Sequence, residues 1–131
     1  MAFLADTHVF LWFLRGDSRL GERARLQLVD PNMQVWVSAA AFWEIAIKFA
    51  AGNLGLDDPP DIYLPVGFKS TGFRELPINM HHAIAVSRLP LHHKDPFDRI
   101  MIAQAQLEGL TLVTADDTFS RYDVGVLNAR K

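Results

Sequence analysis

The chain has 131 residues, half of them apolar, a formal net charge of −2 and no cysteine. This length predicts a single domain over residues 1–131 with a sizeable core, and the lack of thiols excludes disulfides, thiol catalysis and cysteine-ligated zinc. No stretch reaches the ~18 consecutive apolar residues of a membrane span. The apolar start of the chain also lacks the pattern of a signal peptide, so we predict a cytoplasmic protein.

The predicted elements alternate between strands and helices along the chain. A strand over residues 2–6 precedes a helix over 8–16 and an amphipathic helix over 21–30, and a strand over 34–38 precedes a helix over 39–52. Residues 52–65 are rich in Gly, Pro and Asp, and we predict a loop there. A strand over 73–78, helices over 80–88 and 96–108, a strand over 110–114 and an edge strand over 124–129 complete the chain.

This alternation predicts an α/β fold with a mainly parallel sheet. The carboxyl ends of parallel strands meet at one edge of the sheet, and ligands bind outside that edge. Several acidic side chains stand at or near these positions in the sequence. The functional question is whether they serve only local structure or meet in a common site.

Three of these acids have a local structural explanation. Asp6 ends the first strand and suits the N-cap of the next helix. Glu44 lies four residues before Lys48 on a helix that is apolar almost all round, so it is either half of a surface ion pair or a buried carboxylate that needs a cation. Asp98 is the third residue of a helix that begins at Pro96, where an acid suits the helix dipole.

Two adjacent aspartates, Asp116 and Asp117, follow the strand over 110–114, and one acid there is a common turn signal. Four carboxylates meeting at one sheet edge would repel one another, by about 4 kcal/mol for two charges ~4 Å apart at an effective dielectric of ~20. A hard divalent cation removes this repulsion, and an oxygen-only ligand set suits Mg²⁺ or Mn²⁺. Such a metal suits phosphodiester hydrolysis, because it lowers the pKa of a bound water and neutralises charge on the transition state.

Four segments resemble the PIN-domain family, and more narrowly the VapC toxins of bacterial VapBC toxin–antitoxin modules. They are LADTHVFLWFL, VSAAAFWEIAIK, LPLHHKDPFDRIMIAQAQLEGLTLVTADDTF and YDV, and the similarity runs from about residue 3 to residue 126. The resemblance implies a PIN-like three-layer α/β/α sandwich with a small, mainly parallel sheet. It also implies a Mg²⁺- or Mn²⁺-dependent endoribonuclease that acts as the toxin of a type II toxin–antitoxin system.

The resemblance further implies which residues form the site. The catalytic acids would be Asp6, Glu44, Asp98 and Asp116. The first, third and fourth would hold metal directly, while Glu44 would bind metal or position water. Asp117 is the fallback for the fourth acid.

Four other residues are candidates for a supporting role or for substrate contact. Thr7 and Thr114 resemble the small polar residues that support such a site. Arg99 either contacts phosphate or lies on the helix surface. Lys48 either touches substrate or pairs with Glu44.

The partners implied by the resemblance are RNA and a VapB-type antitoxin whose C-terminal segment covers the cleft. A homodimer or a toxin–antitoxin hetero-oligomer is expected. The helix over 8–16 is apolar over nearly its whole circumference, so its aromatic residues Phe10, Trp12 and Phe13 are either exposed for a partner or sandwiched between sheet and helices.

Two other functions compete with this hypothesis. A PIN-like fold could bind RNA or protein without cleaving anything, although the presence of all four acids argues against it. A phosphate-transfer enzyme could use Asp6 as nucleophile, but haloacid-dehalogenase-like enzymes need a second Asp two residues on, where this chain has His8. The five histidines show no HExxH-type spacing, and no P-loop or GxGxxG motif occurs.

Overall fold

The computed structural model describes residues 1–131 and contains a five-stranded sheet with helices packed on both faces. The strands are β1 (Ala2–Ala5), β2 (Gln34–Ser38), β3 (Arg74–Leu76), β4 (Thr111–Thr114) and β5 (Val126–Asn128). They lie in the order β3-β2-β1-β4-β5, and every neighbouring pair is parallel. The predicted α/β/α sandwich is therefore confirmed.

Six α-helices connect and cover the strands. They are α1 (Thr7–Arg15), α2 (Glu22–Val29), α3 (Ala39–Ala50), α4 (Pro60–Thr71), α5 (Met80–Ala85) and α6 (Pro96–Glu108). Short 3₁₀ helices cover Val86–Arg88 and Asp117–Arg121. None of the helices is long and apolar enough to cross a membrane.

The central strand is buried on both faces, which is why it is a continuous apolar run in the sequence. On one face Leu4 packs in a cluster with Ile102 of α6. On the other face Phe3 packs in a cluster with Val9 of α1 and Leu28 of α2. Side chains alternate along the strand, so β1 joins the two halves of the core.

The aromatic residues of α1 lie inside the protein. Phe10 is fully buried, Trp12 is 8% exposed, and the half-buried Phe13 packs against Phe73 at 5.0 Å between ring centroids. The alternative in which these side chains are exposed for a partner is therefore wrong. Helix α1 lies between the sheet on one side and α3 on the other, which explains its apolar circumference.

The segment predicted as a loop over 52–65 contains the start of α4, so that prediction was wrong beyond Pro59. Pro60 occupies the first turn of the helix, where its fixed φ is favourable and its missing N–H costs nothing. Pro65 lies inside the helix and removes one backbone hydrogen bond. Packing offsets that loss, because Leu64 is buried in a cluster with residues of α1 and α3. Tertiary contacts thus override a composition typical of loops.

The sheet register determines where the acids can meet. Ala5 pairs with Val37 of β2 and with Val113 of β4. The next residues along the three strands are therefore neighbours at the carboxyl edge of the sheet. Asp6 follows β1 at this edge, and its backbone N–H donates to the Val113 carbonyl at 3.1 Å.

Gly21, just before α2, lies against the end of the chain. A Cβ built on Gly21 would lie 2.4–2.5 Å from backbone atoms of Arg130 and Lys131. We expect Gly21→Ala to displace these residues or shift α2, and to lower the free energy of unfolding by about 1–3 kcal/mol in urea titrations. Gly55→Ala is the matched control, since no atom lies within 4 Å of its added Cβ. Equal stability of the two variants would contradict the close approach.

Candidate active site

Asp6 is both a helix cap and a buried acid at the sheet edge. It is 6% exposed, and its Oδ1 accepts a hydrogen bond from the Val9 backbone N–H at 2.9 Å, as an N-cap does. Its Oδ2 accepts a short hydrogen bond from the Thr114 hydroxyl at the end of β4. Burial raises the pKa of Asp6 above its ordinary value, although these hydrogen bonds oppose the shift. Asp6 therefore caps α1 and also lies at the carboxyl edge of the sheet.

Glu44 is a buried carboxylate and not half of a surface pair. It lies on α3 and is 3% exposed. The Thr7 hydroxyl donates to its Oε1 at 2.6 Å, and Lys48 Nζ donates to its Oε2 at 2.6 Å. The hydrogen bond to Glu44 raises the pKa of Lys48 above its ordinary value, which stabilises the charged lysine. Thr7 and Lys48 therefore fix the orientation of Glu44.

Asp98 lies in the first turn of α6, one turn after the residue that caps this helix. Asp95 accepts hydrogen bonds from the backbone N–H groups of Phe97 and Asp98, at 2.8 and 3.2 Å. Burial raises the pKa of Asp98 to about 7, and the carboxylates of Asp95, Glu44 and Asp6 add to the rise. The charges of Glu44 and Asp6 therefore also disfavour ionisation of Asp98, although less than burial does.

Asp116 follows β4 and lies beside His93 and Asp98. Its Oδ1 caps the 3₁₀ helix by accepting the Thr118 N–H at 2.9 Å, and its backbone N–H donates to the Thr114 hydroxyl at 3.0 Å. Burial raises the pKa of Asp116, but hydrogen bonds from Thr118 and His93 outweigh burial, so the net pKa lies below its ordinary value. Asp117 is exposed, outside this group of contacts.

His93 lies between Asp98 and Asp116. Its Nε2 is 3.0 Å from Asp98 Oδ2 and 2.9 Å from Asp116 Oδ2, and the ligand atoms of the three residues lie within 4.8 Å of one another. The Asp95 backbone N–H donates to His93 Nδ1 at 3.2 Å. Since Nδ1 accepts, the neutral ring carries its hydrogen on Nε2 and donates it to the carboxylates.

The sequence does not single out His93, because nothing in the stretch HHKDP distinguishes it from its neighbours. The loop before α6 folds back so that the His93 backbone N–H donates to the Tyr122 hydroxyl at 2.8 Å, and that hydroxyl donates to the Pro90 carbonyl at 2.9 Å. The adjacent His92 is exposed. Contacts with distant residues select His93: the Tyr122 hydroxyl is 29 positions away, and the His93 ring packs against Phe119 with ring centroids 5.6 Å apart.

Arg99 points into the loop before α6 and not into the cleft. It is 9% exposed, and its guanidinium donates to four backbone carbonyls at 2.9–3.3 Å, those of Val86, Leu89, Pro90 and His93. All of these acceptors belong to the segment that carries His93. The geometry gives Arg99 a supporting position and leaves it poorly placed for a phosphate contact.

The donor set at this edge fits a divalent metal. Asp98 and Asp116 present oxygens near His93, and Asp6 and Glu44 lie close enough to influence the pKa of Asp98. Carboxylate oxygens are the ligands that Mg²⁺ and Mn²⁺ prefer. A cation placed among these acids would relieve the repulsion that raises the pKa of Asp98.

Comparison with known proteins shows the family to which the chain belongs. The model of the PIN domain family matches residues 3–125, so the chain belongs to the PIN-domain family, as the sequence motifs indicated. PIN domains are nucleases that generally use a divalent metal. No curated protein matches the chain.

Solved structures with a similar fold include three toxin–antitoxin complexes. VapBC2 from Rickettsia felis, bound to a promoter DNA fragment, is 14% identical, with 98% of each chain covered and a TM-score of 0.73. VapBC-1 from nontypeable Haemophilus influenzae is 17% identical, with 100% of each chain covered and a TM-score of 0.70. DNA-bound VapBC from Salmonella typhimurium is 21% identical, with 98% of each chain covered and a TM-score of 0.68. At these identities the likeness establishes the fold.

Proposed function

We propose that this protein is a metal-dependent endoribonuclease, the VapC-type toxin of a type II toxin–antitoxin pair. The observation that carries the proposal is the group formed by Asp98, Asp116 and His93, whose ligand atoms lie within 4.8 Å of one another, with Asp6 and Glu44 near enough to affect the pKa of Asp98. All four acids are held by hydroxyl groups or by His93, so their positions are organised before any ligand binds. The whole chain, residues 1–131, would be one PIN domain acting in the cytoplasm.

Asp6, Asp98 and Asp116 would hold Mg²⁺ or Mn²⁺, with Glu44 as a further ligand or as the group that positions water. The metal would lower the pKa of a bound water and neutralise charge on the attacked phosphate. The Thr114 hydroxyl holds Asp6, and Thr7 with Lys48 holds Glu44. These contacts limit reorganisation when substrate binds, which is how a preorganised site accelerates a reaction.

His93 would act on the acids and not on the substrate. Its Nε2–H faces Asp98 and Asp116 while Nδ1 accepts the Asp95 N–H. A histidine that coordinates through Nε2 must place its hydrogen on Nδ1, which would break the contact with Asp95. The tautomer therefore favours a positioning role for His93.

A VapB-type antitoxin is the proposed protein partner, with a toxin–antitoxin hetero-oligomer or a homodimer as the assembly. Exposed apolar side chains on two helices support binding of a protein partner. Helix α3 presents Trp43 and Ile47 one turn apart, and α4 presents Ile62 and Val66 one turn apart. Trp43 packs edge-on against Phe97, the residue before Asp98, with ring centroids 5.1 Å apart. An apolar segment docked on α3 and α4 would thus end beside the acids and could cover them.

The test is cleavage of total RNA with Mn²⁺ or Mg²⁺, repeated with EDTA and with the Asp6→Ala protein. We expect discrete fragments that require both the metal and Asp6. RNA that is retained but left intact would instead indicate a non-catalytic binding module. Transient phosphorylation of Asp6 would indicate phosphate transfer, but both oxygens of this buried carboxylate already accept hydrogen bonds, which disfavours attack by Asp6.

The identity of the fourth acid is tested by comparing Asp116→Asn with Asp117→Asn. We expect Asp116→Asn to lower the cleavage rate about a hundredfold, because Asp116 faces His93 and Asp98. Asp117 is exposed on the 3₁₀ helix, so its change should lower the rate much less. Single-turnover rates on one RNA fragment measure both, and the reverse order would make Asp117 the fourth acid.

A further inference from the structure

A pocket lies directly beside the acidic cluster, on the side of α1 and the end of the chain. Its volume is about 560 Å³, and Asp6 and Asp116 form part of its wall. The remaining lining residues are His8, Trp12, Arg19, Ala115, Asp117 and Arg130. Two arginines and the exposed ring of His8 therefore lie next to acids that are proposed to hold metal.

The two arginines are the only Lys or Arg side chains that line this pocket. The protein carries a net charge of −2, and the acids of the cluster repel phosphate until a metal neutralises them. A polynucleotide cleaved at the cluster also brings the phosphates that flank the scissile bond. These flanking phosphates need cationic partners close to the site, and Arg19 and Arg130 are at the right place.

The backbone around Arg130 is fixed, while its guanidinium is free for a ligand. The Gly21 N–H donates to the Ala129 carbonyl and the Arg23 N–H donates to the Lys131 carbonyl, both at 2.8 Å. The Arg130 N–H donates to Asn128 Oδ1 at 2.9 Å. No carboxylate lies within ion-pair distance of the Arg130 guanidinium. The chain thus holds an exposed, unpaired arginine beside Asp6.

The other wall of the pocket combines a cation with stacked rings. Arg19 Cζ lies 5.2 Å from the centroid of the Trp12 ring, and its side chain remains 64% exposed while it pairs with Asp17 at 2.7 Å. The His8 ring stacks on Trp12, with centroids 6.3 Å apart and planes at 28°. Because Trp12 is nearly buried and His8 is exposed, His8 presents the ring surface on which a base could stack.

We propose that this pocket binds one nucleotide of single-stranded RNA next to the scissile phosphodiester. Arg130 contacts its phosphate, Arg19 makes a weaker contact because Asp17 already pairs with it, and His8 stacks on its base. This inference rests on the proposed ribonuclease function for its substrate. The residues proposed to bind the nucleotide are not the catalytic acids, although Asp6 and Asp116 line the same pocket. Binding of this nucleotide would help to determine which RNA segment is cut.

The test is the affinity of the full-length protein for a fluorescein-labelled 12-nucleotide single-stranded RNA of mixed sequence, measured by anisotropy at several salt concentrations. Ca²⁺ replaces the catalytic metal, because it is also bound by carboxylate oxygens. We expect Arg130→Gln to weaken binding about tenfold, as the loss of a hydrogen bond to a charged group does. The slope of log affinity against log salt should fall by about 0.7, the value for one phosphate contact on a single strand.

The variants are expected to weaken RNA binding by different amounts, so the order of their effects tests the proposed contacts. Arg19→Gln should weaken binding less than Arg130→Gln, and His8→Ala should weaken it about fivefold without changing the salt slope. Arg88→Gln is the matched control, since it removes the same charge from an exposed position on another side of the protein. Urea unfolding of each variant checks that the fold is unchanged.

The outcomes separate this inference from the proposed function. If Arg130→Gln binds RNA with the affinity and salt slope of Arg88→Gln, the pocket does not bind phosphate, even if the wild-type protein cleaves RNA. If the arginine variants lose affinity but the wild-type protein never cleaves, the pocket is supported and the nuclease is not. If they keep RNA affinity and lose binding of the antitoxin, the pocket belongs to the protein partner and the inference is wrong.

Discussion

The Asp98→Asn protein is expected to cleave RNA about a thousandfold more slowly than wild type and yet to be more stable in EDTA at pH 8. Asn keeps an oxygen that can accept from His93 Nε2–H, but it removes a negative charge proposed to hold metal. The gain in stability follows from the environment of Asp98, because burial and the neighbouring acids oppose its ionisation.

The direction of the pH effect follows from proton linkage. Without metal, the pKa of Asp98 is about 7 in the folded protein, against 3.8 for an unperturbed group. Between these values the folded state holds a proton that the unfolded state has lost, so stability falls as pH rises through this window. The full penalty is present above pH ~7 and amounts to at most about 4 kcal/mol. Asp98→Asn removes it.

Thermal unfolding in EDTA at pH 5 and pH 8, with single-turnover cleavage in Mn²⁺, measures both effects. Asp58→Asn removes an exposed loop carboxylate and serves as the control for the charge change. An Asp98→Asn protein that cleaves RNA at the wild-type rate would remove Asp98 from the proposed site. One that is less stable than wild type at pH 8 would contradict the electrostatic account.

Arg99→Ala is expected to lower the free energy of unfolding by about 3 kcal/mol, and to reduce cleavage as well. The substitution leaves four carbonyl groups around residues 86–93 without their donor. That segment carries His93, so its loosening also disturbs the contacts to Asp98 and Asp116. Urea unfolding without RNA measures the stability, and the cleavage rate at low temperature measures the effect on the site.

Two comparisons separate this supporting position from a phosphate contact. Arg99→Lys keeps the charge but cannot replace a guanidinium that donates to four carbonyls. We therefore expect it to lose most of the stabilisation that Arg99→Ala loses. Arg88→Ala, at an exposed position, should change stability by less than about 0.5 kcal/mol. An Arg99→Ala protein that keeps its stability and loses only RNA affinity would indicate that Arg99 contacts the substrate phosphate.

Local sequence signals were sufficient for most elements of this fold. Helix α6 begins and ends where Asp95, Pro96 and Gly109 predict, because capping depends on a few adjacent residues. The position of Asp6 is also predictable from the sequence, because it ends a buried apolar run and the strands of a parallel sheet end at one edge.

The signals failed where distant contacts decide the outcome. Helix α4 contains two prolines, and the buried Leu64 compensates for them only in the folded protein. His93 and Arg99 depend on the path of residues 86–93, which no local pattern predicts. Burial of Phe10 is also not predictable from the sequence, because an apolar helix surface has the same sequence whether a neighbouring helix or a partner covers it.

The hydrogen bond between Thr114 and Asp6 joins residues 108 positions apart. The centre of the sheet has the same property, since β1 pairs with both β2 and β4 and the latter is reached only near the end of the chain. Contacts of such long sequence separation form late in folding. A nascent chain keeps Asp6 apart from Thr114 and Asp116 until both of these residues have been synthesised, so the cleft cannot assemble on a shorter chain. The ribonuclease proposed above would therefore lack its assembled acids until residues 114–116 have left the ribosome.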